Sequence, residues 1–177
     1  MDSFHNTSGE SDLEICVRQA QTADLDAVLA IYNEGIEDRI ATLDQALKTL
    51  QDIEQWWTEH DSQRYMVLVG LHADRVVGWA SLNHFSHRCA HDAIADLSIY
   101  VSREYRGRGV GTALLDCVEQ CARESGFHKI VLHALNDNEL GKQLYHKLGY
   151  TDVGIFREHG ALEGRYVDVI AMEKILR

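Results

Sequence analysis

Arg106-Gly107-Arg108-Gly109-Val110-Gly111 sets three glycines and two arginines between an apolar run, residues 97–101, and a stretch with helical periodicity. Backbone amides exposed at such a strand-to-helix turn can hold a pyrophosphate, and glycine admits both left-handed angles and close approach of an anion. The spacing points to a nucleotide-like cofactor, with Arg106 and Arg108 adding positive charge. A turn that only joins strand to helix is the alternative at this stage. The segment neither closes on Lys-Ser/Thr nor has the three-glycine spacing and downstream acid of a dinucleotide fold, which disfavours ATP and NAD.

Such a turn needs a sheet and helices to hold it. Residues 13–18 alternate as a short strand, and Thr22-Ala23-Asp24 caps a helix carrying Leu25, Val28, Leu29, Ile31 and Tyr32 toward Gly35. Ile53, Trp56 and Trp57 mark a second helix over 52–59, and the segment 36–50 between the two suits a substrate rim. Strands are predicted at 66–71 and 75–82, joined by His72-Ala73-Asp74 as a hairpin, and at 95–101. Val110, Leu114, Cys117, Val118 and Cys121 give the helix after the glycine turn one apolar face. A strand at 129–134, a helix over 139–148 stopped by Gly149, and strands at 150–156 and 166–174 complete an α/β pattern.

The 177 residues suit one compact domain, expected over 13–177 after a loose polar segment at 1–12. With 17 Lys/Arg against 28 Asp/Glu the formal charge is -11, which disfavours nucleic acid and anionic lipid as partners while leaving room for a local basic patch. No apolar stretch approaches a membrane span, and residues 1–10 lack the basic flank and apolar segment of a secretion signal, so a cytoplasmic protein is expected. Cys16, Cys89, Cys117 and Cys121 do not have the spacing of a small disulfide scaffold and are expected reduced. His84, His87, Cys89 and His91 are potential metal ligands, but their spacing is no recognised zinc pattern; surface histidines are the favoured reading and no metal is expected.

Order and residues together resemble the GNAT superfamily of N-acetyltransferases over nearly the whole chain. The glycine turn resembles the family's acyl-coenzyme A loop, and Asn138-Glu139-Leu140-Gly141-Lys142-Gln143-Leu144-Tyr145-His146-Lys147-Leu148-Gly149-Tyr150 resembles its second coenzyme-binding block. A closer similarity is to the phosphinothricin, methionine sulfoximine and arsinothricin N-acetyltransferases. It rests on the substrate-side segment Ile31-Tyr32-Asn33-Glu34-Gly35-Ile36-Glu37-Asp38-Arg39-Ile40-Ala41-Thr42-Leu43 and on Gly154-Ile155-Phe156-Arg157-Glu158-His159-Gly160 with Gly164-Arg165-Tyr166-Val167-Asp168.

The resemblance implies a mixed, mostly antiparallel sheet split between its central strands and flanked by helices, with acetyl-coenzyme A as cosubstrate in the split. Val101, Arg106, Gly107, Arg108, Gly109, Val110 and Gly111, together with Asn138, Lys142 and Tyr145, are the implied coenzyme contacts. Asp96 stands where the family commonly has glutamate and is the implied acceptor of the amine proton, through water if its shorter side chain falls short; a strand-start acid bonded to a nearby amide is the alternative. Glu34 is a second candidate to orient or deprotonate the amine, with a polar helix-face residue as its alternative, and Tyr145 is placed to protonate the departing thiolate or to pack with its hydroxyl satisfied.

Arg88 corresponds to a basic substrate-side position suited to an oxyanion, whereas Ser86 replaces a second arginine often found there, which weakens a strict phosphinothricin assignment. Arg39, Thr42, Arg157 and His159 complete the candidate substrate contacts. The implied reaction is direct acetyl transfer to the α-amino group of a small anionic amino acid analogue, in a homodimer. Acetylation of another metabolite amine or a peptide N-terminus, and a noncatalytic acyl-coenzyme A sensor, are the competing readings.

Overall fold

A computed structural model describes residues 13–60 and 63–177, so the segment 1–12 expected to be loose lies outside the described residues. The elements in chain order are β1 (Cys16–Gln19), α1 (Leu25–Asp38), α2 (Leu50–Thr58), β2 (Val67–His72), β3 (Arg75–His84), β4 (Ile94–Val101), α3 (Val110–Glu124), β5 (Lys129–Leu135), α4 (Glu139–Lys147), β6 (Thr151–Leu162) and β7 (Arg165–Ile175). They form a seven-stranded sheet in the order β1-β2-β3-β4-β5-β7-β6, in which β4 and β5 are the parallel pair and every other neighbour is antiparallel.

Over β2 to β4 both faces of the sheet are covered, in keeping with the alternation of these strands. Val67 and Val69 of β2 and Trp79 of β3 pack with Leu25, Val28 and Ile31 of α1 and Ile53 of α2. Leu68, Ala80, Leu82 and Leu97 belong to the opposite cluster, with Leu114, Leu115 and Val118 of α3 and Tyr145 of α4. Local chemistry fixes the ends of several elements. Thr49 and Asp52 form a reciprocal capping box on α2, and the Asn138 side chain accepts from the Gly141 amide at the start of α4. Ala73 and Asp74 (φ 47° and 63°) and Glu163 and Gly164 (φ 49° and 79°) have the left-handed angles of tight hairpin turns.

The decisive feature is where pairing between β4 and β5 stops. The parallel ladder covers only Ile94↔Lys129, Ala95↔Ile130 and Asp96↔Val131. Beyond it β4 stays paired to β3 through Val101 and β5 to β7 through Leu135, so the two strands diverge from Asp96 onward and the sheet opens. The split expected between central strands is therefore present, with Asp96 at its apex.

Most boundaries lie within two residues of the sequence reading, and three differ by more. The first strand begins at Cys16 rather than 13, α1 continues past Gly35 to Asp38, and β6 runs on to Leu162 rather than stopping at 156. The last difference has a local cause: Glu158 takes φ 50° and the register shifts between Phe156 and Gly160, a bulge that interrupts the alternation a sequence reader would follow.

Candidate active site

Two cavities meet at Tyr100. The larger, about 380 Å³, opens in the split and is walled by Ile99, Tyr100 and Val101 of β4, the glycine turn, the α4 cap Asn138, and residues of α4 including Leu144 and Tyr145. Gly35 of α1 and Ile40 and Ala41 just after it close one side. Gly109, with φ 86°, precedes the first turn of α3, and Gly107 has φ 73°. A Cβ at either position would meet nothing within 4 Å, so backbone angle, not crowding, demands glycine there. Gly111 is different: its Cβ would lie 2.7 Å from Leu144 Cδ2, so its small size lets α3 approach α4.

The two arginines of the turn have separate jobs. Arg106 donates from Nε to the Val101 carbonyl (3.1 Å) and from its guanidinium to Asp38 (2.5 Å), tying the turn to the end of α1. Arg103 binds the same carboxylate at 2.7 Å. The hydrogen bond from Arg103, aided by Arg106, holds the Asp38 carboxyl below the usual range against the opposing effect of burial. Arg108 instead lies over the Tyr105 ring at 5.9 Å and makes no salt bridge among the described residues, so its charge is the one the turn presents.

Glu34 belongs to this same frame. Its carboxylate accepts from the Arg103 amide (2.5 Å) and the Ser102 hydroxyl (3.4 Å), which fastens the turn after β4 to α1. Val110 is buried as the first residue of α3, leaving its backbone at the turn. Lys142 donates to the Asn136 carbonyl at 2.6 Å and pairs with Glu139 at 2.7 Å, bracing the entry to α4. Tyr145 is buried, lines the cleft and meets Tyr150 edge-on with centroids 5.8 Å apart. Burial pushes its phenol up to about 12, so it stays protonated and able to donate at neutral pH.

The second cavity, about 270 Å³, lies between α1, α2 and the sheet, and brings Tyr32, Trp56, Trp79 and Tyr100 together with Ser98 and the Asp44–Lys48 pair. Burial tends to raise the Asp44 carboxyl, but hydrogen bonds from Tyr32 (2.7 Å) and Lys48 outweigh it and hold the group low. Asp96 precedes Ser98 and Tyr100 at strand-alternating positions, directly across from Asn83, whose side chain donates to the Asp96 carbonyl (3.3 Å) and Ser98 Oγ (3.1 Å).

The remaining candidates are dispersed. Arg39 takes φ 57° at the end of α1, donates to the Gln45 carbonyl (3.1 Å) and approaches Glu163 (3.7 Å), while the Thr42 hydroxyl accepts from the Asp44 amide (3.1 Å). Arg88 is exposed on the β3–β4 connection and lines neither cavity. Arg157 pairs with Asp168 at 3.0 Å, and His159 stacks on Phe156 with centroids 4.7 Å apart. His84 packs at a tilt against Tyr65 and His91 meets Phe85 edge-on; among the described residues no three His, Cys, Asp or Glu side chains are grouped to hold a metal.

Sequence reasoning missed Asp38, Arg103 and the ring cluster as functional parts. Asp38 follows Glu34 by four residues and so shares its helix face, a spacing that could have coupled both acids to one turn.

A sheet split at a parallel pair, a glycine turn at the head of α3 and a capped α4 across the gap define an acyl-coenzyme A transferase scaffold, and the sequence matches the Acetyltransferase (GNAT) family over residues 28–150. The chain belongs to this family of N-acetyltransferases, enzymes that use acetyl-CoA. It is 29% identical over 158 residues to the L-methionine sulfoximine/L-methionine sulfone acetyltransferase of Pseudomonas aeruginosa, covering 89% of this chain and 92% of that one. A GNAT superfamily phosphinothricin acetyltransferase from Sinorhizobium meliloti, solved in complex with AcCoA, superposes with a TM-score of 0.87 at 26% identity over 92% of this chain and 88% of the other. A ribosomal-protein-alanine N-acetyltransferase from Brucella melitensis also gives 0.87, at 32% identity over 91% and 99%.

The residues present fit the cosubstrate. The open left-handed glycines, the uncommitted Arg108 and a cleft ending at a protonated phenol suit, in turn, a pyrophosphate, its charge and a thioester sulfur.

Proposed function

We propose that this enzyme transfers the acetyl group of acetyl-CoA to the α-amino group of a small anionic amino acid analogue such as phosphinothricin, methionine sulfoximine or arsinothricin. The observation that carries the reading is the position of Asp96 at the apex of the split, at the end of the parallel ladder and two and four residues before Ser98 and Tyr100, which line the ring-lined cavity taken as the acceptor side. Asp96 receives the ammonium proton, the freed amine attacks the thioester carbonyl, the carbon–sulfur bond breaks, and the thiolate takes the Tyr145 proton. Arg88 answers the anionic end of the acceptor, with Arg39, Thr42, Arg157 and His159 as further contacts. Glu34 acts on the coenzyme side, through the turn it holds.

The reading includes a homodimer. Val153, Ile155 and Phe156 on edge strand β6 and Tyr166 on β7 are exposed, apolar side chains along the sheet edge that a second copy would cover. Among the described residues no helix is long and apolar enough to cross a membrane.

The similarity to a ribosomal-protein-alanine N-acetyltransferase supports a second reading, acetylation of a peptide N-terminus. Coenzyme A release measured with amino acid analogues and with short peptides separates the two. Selective turnover of an analogue is expected, and turnover confined to peptides would refute the first reading.

A further inference from the structure

We infer that His133 is a positioning residue that carries the acceptor's proton from Asp96 to solvent; the inference rests on the assignment of Asp96 as proton acceptor made above. His133 lies on β5 two residues beyond Val131, the residue paired with Asp96 where the ladder ends. Strand alternation therefore puts its side chain on the same face of the sheet as that of Asp96, across the opening split. Its Nδ1 is 3.4 Å from Asp96 Oδ1. That is a long contact for a hydrogen bond, and catalytic contacts commonly tighten once substrate is bound.

The two side chains differ in access to water. Asp96 is 29% exposed and His133 43%, so the imidazole is the more open end of the pair. Opposite His133 on β7 stands Ala171, which adds no charge, and on β6 its ring faces Phe156 at 6.2 Å, which in turn stacks on His159. Glu173, two residues along β7 on the same face, is paired with Lys129, which leaves Asp96 as the acid in closest contact with the imidazole. Imidazole suits the task because it can hold a proton on one nitrogen and release one from the other.

The proton balance is closed. The acceptor ammonium gives one proton to Asp96, which passes it through His133 to water. The neutral amine forms the new carbon–nitrogen bond as the carbon–sulfur bond breaks, Tyr145 protonates the thiolate, and the second amine proton restores the Tyr145 phenol. The net products are the amide, free coenzyme A and one proton, the one that leaves through His133.

A half-exposed carboxylate–imidazole pair with only a structural role contributes little to stability. Coenzyme A release is therefore to be measured for the wild type, His133→Ala, His133→Gln, Asp96→Asn and the Asp96→Asn/His133→Ala double variant, each with and without added imidazole, alongside thermal melting and acetyl-CoA affinity. His133→Ala and His133→Gln are expected to lower kcat roughly 10-fold or more with melting and acetyl-CoA affinity unchanged. Free imidazole should restore part of the His133→Ala rate, and the second substitution should cost nothing further in the Asp96→Asn background. Wild-type kcat in both His133 variants, or a loss that imidazole leaves untouched and that recurs in the Asp96→Asn background, overturns the inference while leaving Asp96 in place. Full turnover by Asp96→Asn removes the underlying assignment, and the inference with it.

Discussion

Most of the wall of the larger cleft comes from two stretches, 99–112 and 138–147, whereas the proposed acceptor contacts Thr42, Arg88, Asp96 and Arg157 come from four separate parts of the chain. The first half is set largely by local backbone geometry, the left-handed glycines and the Asn138 cap, and is tied to α1 by the Asp38 clamp. In the second half, Arg39 and Arg157 already bind protein acceptors and Arg88 reaches none of the lining. The fold's own frame thus braces the coenzyme cleft, while the proposed acceptor contacts sit at its periphery.

That contrast can be broken at several points, in decreasing order of effect. Asp96→Asn removes the group at the junction of the two halves and is expected to lower kcat by roughly 10²- to 10⁴-fold, with acetyl-CoA affinity unchanged in a binding titration. Tyr145→Phe should cost on the order of 10- to 100-fold in kcat while the fold survives, since only the hydroxyl is lost. The wild type should show no loss of activity from this phenol below about pH 10, because burial holds it up to about 12. The same shift has a stability consequence. The folded phenol binds its proton more tightly than the unfolded one, so its contribution is whole below the unfolded value near ~10 and fades as pH rises through about 12.

Gly109→Ala is a test of the coenzyme half alone. Forcing a side chain into φ 86° costs about 1–2 kcal/mol, so either stability falls by that amount or the turn shifts and acetyl-CoA binds roughly 10-fold more weakly, with acceptor KM preserved. Asp38→Asn should act in the same direction but less strongly, about 1 kcal/mol, by loosening Arg106 and Arg103. The Asp38 carboxyl is held low in the fold, so its contribution is present above the ordinary carboxylate range and lost as pH falls through the depressed value; the variant's acid melting curve should lack that segment. Arg88→Ala is expected to leave acetyl-CoA binding alone and raise acceptor KM several-fold, and an unchanged acceptor KM would remove Arg88 from the acceptor site.

What could be read from the sequence divides along the same line. The glycine turn and the apolar face of α3 were legible because they rest on local spacing, glycine for left-handed backbone and 3.6-residue periodicity for burial. The course of β6 past Phe156 was not, since a bulge at Glu158 breaks the two-residue alternation. His133 and Asp96 are brought together only by the register of a parallel pair whose length no local pattern states. Arg106 looked like a free cation in sequence because Asp38, its partner, lies 68 residues earlier.

The most direct measurement is steady-state release of coenzyme A from acetyl-CoA with phosphinothricin, methionine sulfoximine, arsinothricin, common amino acids and short peptides offered in parallel. Selective turnover of one anionic amino acid analogue, abolished by Asp96→Asn, is the result expected. Saturable acetyl-CoA binding without turnover of any analogue or amino acid would contradict the proposed acceptor class and leave the coenzyme half standing alone.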